Sequence, residues 1–329
     1  MNPGKNILII QTAFIGDAIL ASAMLESLHA YDSAMRISLL VRKGNESLYE
    51  DHPFLHELLS LDKGLSWFNR MSQMIYLIRS KKYDVVFNAQ RFMSTGILTA
   101  ISGSDLKVGF DKNPLSIFFN KKVPHSMEDG RHEVERNTDL LNAVFPVSLS
   151  EPRLYPSSEA FFKVKRDAPY ICMAPSSVWF TKQWPTEKWI ELISHIPFEL
   201  EVLLIGAPSD KAMAQEIIDQ SHREKTFNLC GSFNLLESAA LMQGALMNYV
   251  NDSAPMHLAS SMDAPVSAIY CSTVPSFGFG PRSKHSFIFE VEEDLPCRPC
   301  GLHGKKACPL GHFNCSKIDP VRMVKESLS

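Results

Sequence analysis

The sequence predicts a two-domain α/β protein in which each half is a mainly parallel, doubly wound sheet. Three observations lead there. Short β-branched runs alternate with longer amphipathic stretches, the pattern of parallel strands covered by helices. The alternation lapses once, near the middle, and then restarts. The chain has 329 residues, beyond the ~250–300 at which a single core usually divides.

In the first half, strands are expected at Ile7–Ile10, Arg36–Val41, Asp84–Asn88 and Leu106–Phe110. Helical patterns lie at Ala18–Tyr31, Leu65–Lys82, Arg91–Ile101 and His132–Phe145. The stretch 146–167 carries Pro146, Pro152 and Pro156, a Ser157-Ser158 pair and a charged run, and reads as the interdomain connection. In the second half, strands are expected at Tyr170–Ala174, Glu201–Ile205, Tyr249–Val250 and Pro265–Tyr270. Helices are expected at Thr186–His195, Pro208–Gln220, Leu235–Met242 and Ala254–Met262. The expected domains are therefore 1–165 and 166–329, with a cysteine-rich segment at 297–315. Sheets of this kind bind ligands outside the carboxyl ends of their strands, and a cleft between two such halves is the natural site.

Composition narrows the function. The chain is 45% hydrophobic and 21% charged, which supplies material for a core, and its net charge of -3 gives no whole-molecule attraction to nucleic acid. An anionic partner must be met by a local basic patch. Arg42-Lys43, Lys81-Lys82 and Lys121-Lys122 with His125 are candidates, alongside the plain alternative of solvated surface charges. The apolar run Asn6–Ile10 is too short for a signal-peptide core, and no segment approaches the ~18 apolar residues of a membrane span. A cytosolic protein is expected, with any membrane contact peripheral.

Three strand-to-helix junctions carry chemistry. In Gln11-Thr-Ala-Phe-Ile-Gly16-Asp17-Ala18, Gly16 permits a tight backbone path and Asp17 stands where a helix cap belongs. A carboxylate at that sheet edge is also a candidate general base for a hydroxyl. In Ala174-Pro-Ser176-Ser177-Val-Trp-Phe-Thr181-Lys182-Gln-Trp184-Pro185, two hydroxyls, backbone N–H groups and a lysine precede a helix. They suit phosphate, while the Trp–Pro pair equally suits a hydrophobic staple. In Val250-Asn251-Asp252-Ser253-Ala254-Pro255-Met256-His257, Asp252 and Ser253 could cap the helix. Alternatively, the N–H groups of residues 253 and 254 grip a diphosphate while Asp252 orients sugar hydroxyls. His257 then reaches the phosphate or is simply a buried, hydrogen-bonded histidine. The chain has neither G-x-x-x-x-G-K nor G-x-G-x-x-G.

Taken in order, these segments resemble glycosyltransferase family 9, the ADP-heptose:lipopolysaccharide heptosyltransferases, over nearly the full length. The resemblance rests on Ile15-Gly16-Asp17, His132-Glu-Val-Glu-Arg136, Ser176-Ser177 with Lys182-x-Trp184-Pro185, Leu204-Ile205-Gly206, Asn251-Asp252-Ser253-Ala254-x-x-His257 and the terminal cysteine segment. It implies a GT-B fold, two Rossmann-like domains facing across a cleft, and metal-independent transfer with inversion from an ADP-sugar. Asp17 is then the catalytic base and Gly16 part of the acceptor-side loop. Ser176, Ser177 and Lys182 hold the diphosphate, and Asp252, Ser253, Ala254 and His257 complete the donor site. The implied partners are a nucleotide-sugar donor and an anionic lipopolysaccharide core acceptor such as a Kdo-bearing lipid A, met at the cytoplasmic face of the inner membrane; no cofactor is required. Many members have paired threonines where this chain has Ser176 and Ser177. The absence of a D-x-D tripeptide agrees with a metal-free scheme.

Of seven cysteines, four fall in Cys297-x2-Cys300-x7-Cys308-x6-Cys315, with His303 and His312 interleaved. Such clustering suggests metal or redox chemistry rather than a disulfide framework. Structural zinc and free thiols are both open, since the short gaps are tighter than common zinc ribbons. Alternative functions are transfer from a different nucleotide sugar, nucleotide-sugar epimerisation, and non-catalytic nucleotide-sugar binding.

Overall fold

Apolar runs such as Ile7–Ile10 are buried on both faces and therefore require helices above and below their sheet. A computed structural model describes residues 4–328 and shows two units of that kind. Met1–Pro3 and Ser329, the outer ends of the two expected domains, lie outside the described residues.

The first unit contains β1 (Asn6–Gln11), α1 (Ile15–Tyr31), β2 (Arg36–Arg42), β3 (Leu55–Leu61), α2 (Trp67–Lys81), β4 (Val85–Asn88), α3 (Met93–Ala100), β5 (Leu106–Phe110), β6 (Lys121–Val123) and α4 (Glu133–Asn142). Its six strands are ordered β3-β2-β1-β4-β5-β6, and the pairs are parallel. Leu8 and Ile10 pack with Met71 and Ile78 of α2 and Leu98 of α3. Alternation sends Ile7 and Ile9 to the other face, where α1 and α4 pack together.

The chain divides after Tyr155, rather than at 165. The proline-rich connection holds α5 (Ser158–Val164), capped when the Ser157 hydroxyl accepts the Ala160 N–H at 3.2 Å. This helix packs on a helix of the second unit, which draws the boundary back.

The second unit continues with β7 (Tyr170–Ala174), α6 (Thr186–His195), β8 (Glu201–Leu204), α7 (Lys211–Ser221), β9 (Thr226–Asn228), α8 (Leu235–Gly244), β10 (Asn248–Asn251), α9 (Ala254–Ser261), β11 (Val266–Tyr270), β12 (Ser286–Glu290) and α10 (Pro320–Ser327). The order β12-β11-β10-β7-β8-β9 is the first unit's order again, with β7 in the place of β1. Helix α5 packs on α8, and α8 on α9. The opposite face is sealed by α6, α7 and α10, whose Trp189, Ile217 and Met323 share one core.

The four strands not expected from sequence, β3, β6, β9 and β12, are the four edge strands. An edge is half solvated, so Leu55-His-Glu-Leu-Leu-Ser-Leu61 and Lys121-Lys-Val123 lack the continuous apolar run of a central strand. One expected cap is displaced and another lacks its side-chain bond. Phe14 is the N-cap of α1, which puts Asp17 at the third helical position and Gly16 at the second, with no left-handed turn. Ser253 is the N-cap of α9 without a side-chain capping bond, its hydroxyl donating to the Asn251 carbonyl at 3.4 Å instead.

The entry to α6 is a hydrophobic staple. Trp184 precedes the cap residue Pro185, and its ring meets Trp189 one turn on, edge to face with centroids 5.4 Å apart. Both rings are buried, and the Trp184 indole N–H donates to the Ser316 carbonyl at 2.9 Å. Trp184→Ala is expected to lower the urea unfolding free energy by about 3–5 kcal/mol, with Trp184→Phe losing less. An alanine variant as resistant to urea as the parent would contradict the staple's role.

Candidate active site

In each sheet the strand order reverses between the first strand and its fourth: at β1 and β4, and again at β7 and β10. The chain leaves such neighbouring strands toward helices on opposite faces, which leaves a crevice at the carboxyl edge between those helices. Every expected site residue outside the cysteine segment lies at one of these two places.

In the first unit, Asp17 sits half-buried in the opening turn of α1, immediately after β1. Burial pushes its pKa from 3.8 up to about 7, and the negative charge of Glu133 adds to the effect. The nearby N–H groups of Asp17 and Phe14 and the positive charge of Arg91 pull the other way. Burial penalises the Glu133 carboxylate too, yet His125 and Arg136 hold it below the ordinary range. The fully buried Arg136 guanidinium donates to Glu133 at 2.9 Å, to Asp129 at 3.3 Å and to the Arg131 carbonyl at 2.6 Å. A fixed anion therefore stands close to a carboxyl group poised near neutrality. That combination suits a proton acceptor.

In the second unit, the loop after β7 and the loop after β10 meet. The Lys182 ammonium is 2.6 Å from the Asp252 carboxylate, both largely buried. The Thr273 hydroxyl donates to the same carboxylate oxygen at 2.6 Å. The two loops are joined by Asn251, whose amide accepts the Trp184 N–H at 3.0 Å and donates to the Pro175 carbonyl at 2.7 Å. The Ser176 hydroxyl donates to Asp210 at 2.8 Å, and the Ser177 hydroxyl accepts the Trp179 N–H at 3.5 Å. Ser253 and Ala254 open α9 directly beyond Asp252, and His257 is buried one turn in. Ser176, Ser177, Lys182, Asp252, Ser253, Ala254 and His257 are thus brought to one edge. Sequence reasoning passed over Asn251, Thr273 and Asp210 as participants. Only Asn251 carried a signal, an amide residue ending an apolar strand beside Asp252.

The cysteine segment lies against the loop after β7. The Thr181 hydroxyl accepts from Ser272 at 2.9 Å and from the Lys305 N–H at 2.8 Å, while the Thr181 N–H donates to the Lys305 carbonyl at 3.1 Å. The Arg298 guanidinium donates to the carbonyls of Cys271 at 2.7 Å and Thr273 at 2.7 Å and pairs with Glu290. Cys297, Cys300 and Cys308 line a cavity of about 440 Å³, and Cys315 is buried in the α6–α10 core. All seven cysteines are free thiols, and among the described residues no three His, Cys, Asp or Glu side chains gather as a metal-holding group.

With this geometry in hand, the chain can be set beside known proteins. The model of glycosyltransferase family 9 (heptosyltransferase) matches residues 71–309. Lipopolysaccharide heptosyltransferase 1 of Pseudomonas aeruginosa is 23% identical over 92% of this chain and 87% of its own length. The E. coli ADP-heptose lps heptosyltransferase II structure superimposes with a TM-score of 0.80 at 20% identity, covering 98% of this chain and 97% of that one. E. coli heptosyltransferase WaaC, solved with ADP, gives a TM-score of 0.76 at 20% identity, covering 98% of each chain. Among the described residues no helix is long and apolar enough to cross a membrane. The chain belongs to glycosyltransferase family 9, the heptosyltransferase family, and is a glycosyltransferase.

Proposed function

We propose that this protein transfers a heptose from ADP-heptose to the inner core of lipopolysaccharide, inverting the anomeric carbon and using no metal ion. The observation that carries the reading is Asp17, a carboxyl group at the first unit's strand-order reversal whose pKa is raised to about 7. The donor and acceptor follow from the relatives, which are named for ADP-heptose and lipopolysaccharide.

In this scheme the acceptor hydroxyl attacks the anomeric carbon from the face opposite the nucleotide, and its proton passes to Asp17. The new carbon–oxygen bond forms as the bond to the diphosphate breaks, the electron pair leaving with ADP. Lys182 neutralises charge on the departing diphosphate, helped by the Ser176 and Ser177 hydroxyls and by the N–H groups of Ser253 and Ala254. Asp252, released from part of its bond to Lys182, orients sugar hydroxyls, and His257 backs the diphosphate. Gly16 leaves room beside Asp17 for the acceptor. A lysine and peptide dipoles thus take the part that a divalent ion plays in carboxylate-pair glycosyltransferases. No step runs through the cysteine segment, whose bonds to Thr181 and Ser272 support a packing role. Action on a lipid-borne acceptor places the enzyme at the cytoplasmic face of the inner membrane.

The deciding experiment supplies donor labelled in the sugar together with a core acceptor. Label on the saccharide supports transfer; label retained on nucleotide, with the sugar isomerised, would replace it with epimerisation. Turnover should be unchanged in EDTA, and a loss restored by Mg2+ would refute metal independence. Asp17→Asn should lower kcat by about 10²–10⁴-fold while ADP affinity holds. Lys182→Met should cost roughly 10²–10³-fold, with weakened ADP binding. Asp17 activity should rise with pH through an apparent pKa of about 7 in kcat/KM. Stability should move oppositely. Between pH 4 and 7 the folded state retains a proton on Asp17 that the unfolded chain has lost, so the parent loses stability as pH rises. The melting temperature of Asp17→Asn, relative to its parent, should therefore climb by a few degrees across that window and level off above it. A gap that stays flat from pH 4 to 8 would rule out the raised pKa.

A further inference from the structure

The loops at the carboxyl edge of the first sheet are tied into one rim. The Lys63 ammonium, after β3, donates to the Thr12 carbonyl, after β1, at 2.8 Å. The Thr12 hydroxyl donates to Gln90, after β4, at 3.2 Å. The Asn113 amide, after β5, donates to the Gln90 and Phe92 carbonyls, each at 3.1 Å. This braced rim turns apolar side chains to solvent from the loops after β1, β4 and β5 and from the first turn of α2. Phe14 is 61% exposed, Trp67 45%, Phe68 77%, Phe92 62%, Ile117 71% and Phe118 57%. Isolated exposed apolar residues are ordinary, but a series along a single edge marks an interaction surface.

Charge on the rim indicates what that surface meets. Partial desolvation and the positive charges of Arg42 and Arg70 hold Lys63 below its ordinary range, so three cations crowd one end of the rim. Lys112 is exposed in the same loop as Ile117. The acidic groups nearby are engaged: Asp62 pairs with Lys43 at 2.7 Å, and Asp111 accepts the His125 N–H at 3.1 Å. Aromatic and aliphatic side chains interspersed with mutually repelling cations match the interface of an anionic bilayer, where rings sit at headgroup level and cations meet lipid phosphates.

We propose that this rim docks on an anionic lipid bilayer, bringing a lipid-anchored acceptor to Asp17, which lies behind the same rim. The proposal rests on the reading of the acceptor as lipid-borne. Acyl chains stay in the membrane while the sugar hydroxyl must reach the base, so the surface around Asp17 is where the bilayer has to lie. Each lysine or arginine at such a surface strengthens binding about fivefold, an effect screened by salt.

Flotation of the full chain with vesicles tests this. It should rise with vesicles of phosphatidylcholine and phosphatidylglycerol at 7:3, rise much less with phosphatidylcholine alone, and be released in 1 M NaCl. Phe68→Ser with Ile117→Ser, both far out in solvent, should cut partitioning at least tenfold without changing the melting temperature. The double variant should keep the parent kcat on a deacylated, water-soluble core acceptor and lose rate on the same acceptor presented in vesicles. Trp67 supplies a second readout in a Trp179→Phe background, where the two remaining tryptophans, Trp184 and Trp189, are buried: its emission should shift to the blue on anionic vesicles, and adding Trp67→Phe should remove the shift. Failure of the parent to float, equal flotation on neutral vesicles, or undiminished flotation of the double variant would overturn docking. Absence of transfer to the soluble acceptor would instead overturn the proposed function, whatever the vesicles show.

Discussion

A parallel sheet whose strand order reverses cannot cover its carboxyl edge at the point of reversal, because consecutive connections leave on opposite faces. Both units of this glycosyltransferase obey that constraint with the same order, and both place their chemical groups at the resulting gap. The first turn of α1, entered from β1, carries Asp17, and the loops after β7 and β10 carry Lys182 and Asp252. The core makes this possible in a plain way. Strands β1, β7 and β10 are almost wholly buried and rigid, so the first residues beyond them are held still although they belong to loops.

Rigidity alone does not align polar groups. In the second unit the alignment comes from Asn251, which is fully buried and spends both ends of its amide on the backbone of the neighbouring loop. Neither bond is available to an aliphatic residue of the same size, and a buried N–H or carbonyl left without its partner costs 1–3 kcal/mol. The Trp184–Trp189 contact serves the same end from below, fixing the angle at which the chain enters α6 just after Lys182. In the first unit the corresponding work is electrostatic. Arg136 neutralises Glu133 enough to keep it ionised, and Glu133 in turn discourages ionisation of Asp17.

Much of this was readable from the sequence, and what was not has a common cause. Central strands show themselves because burial on both faces demands apolar residues at every position, as in Ile7–Ile10 and Tyr170–Ala174. Edge strands β3, β6, β9 and β12 are specified mainly by backbone pairing with a neighbour, which leaves little mark on side chains. The junction motifs also stood out, since hydroxyl, carboxylate and lysine groups directly after apolar strands are conspicuous. Their partners did not. Thr273 lies 21 residues from Asp252 and Asn251 lies 67 from Trp184, and no local pattern announces such pairs. The cap expected at Asp17 falls three residues earlier, at Phe14, whereas Ser253 takes the expected cap position of α9 by backbone geometry, without a side-chain capping bond.

Thr181 has a consequence for how the protein comes into being. Its single hydroxyl oxygen receives Ser272 and Lys305, partners 91 and 124 residues further along the chain, and Trp184 reaches Ser316 in the same way. During synthesis the six strands of the second sheet can pair as soon as β12 has emerged, and the loop bearing Lys182 is then held by Asn251, Asp252 and Ser272. Its last ties are made only when the cysteine segment arrives. A nascent chain would thus pass through a stage with both sheets formed and the Lys182 loop only partly tied down, and a ribosome-bound intermediate would gain protection of that loop from proteolysis late.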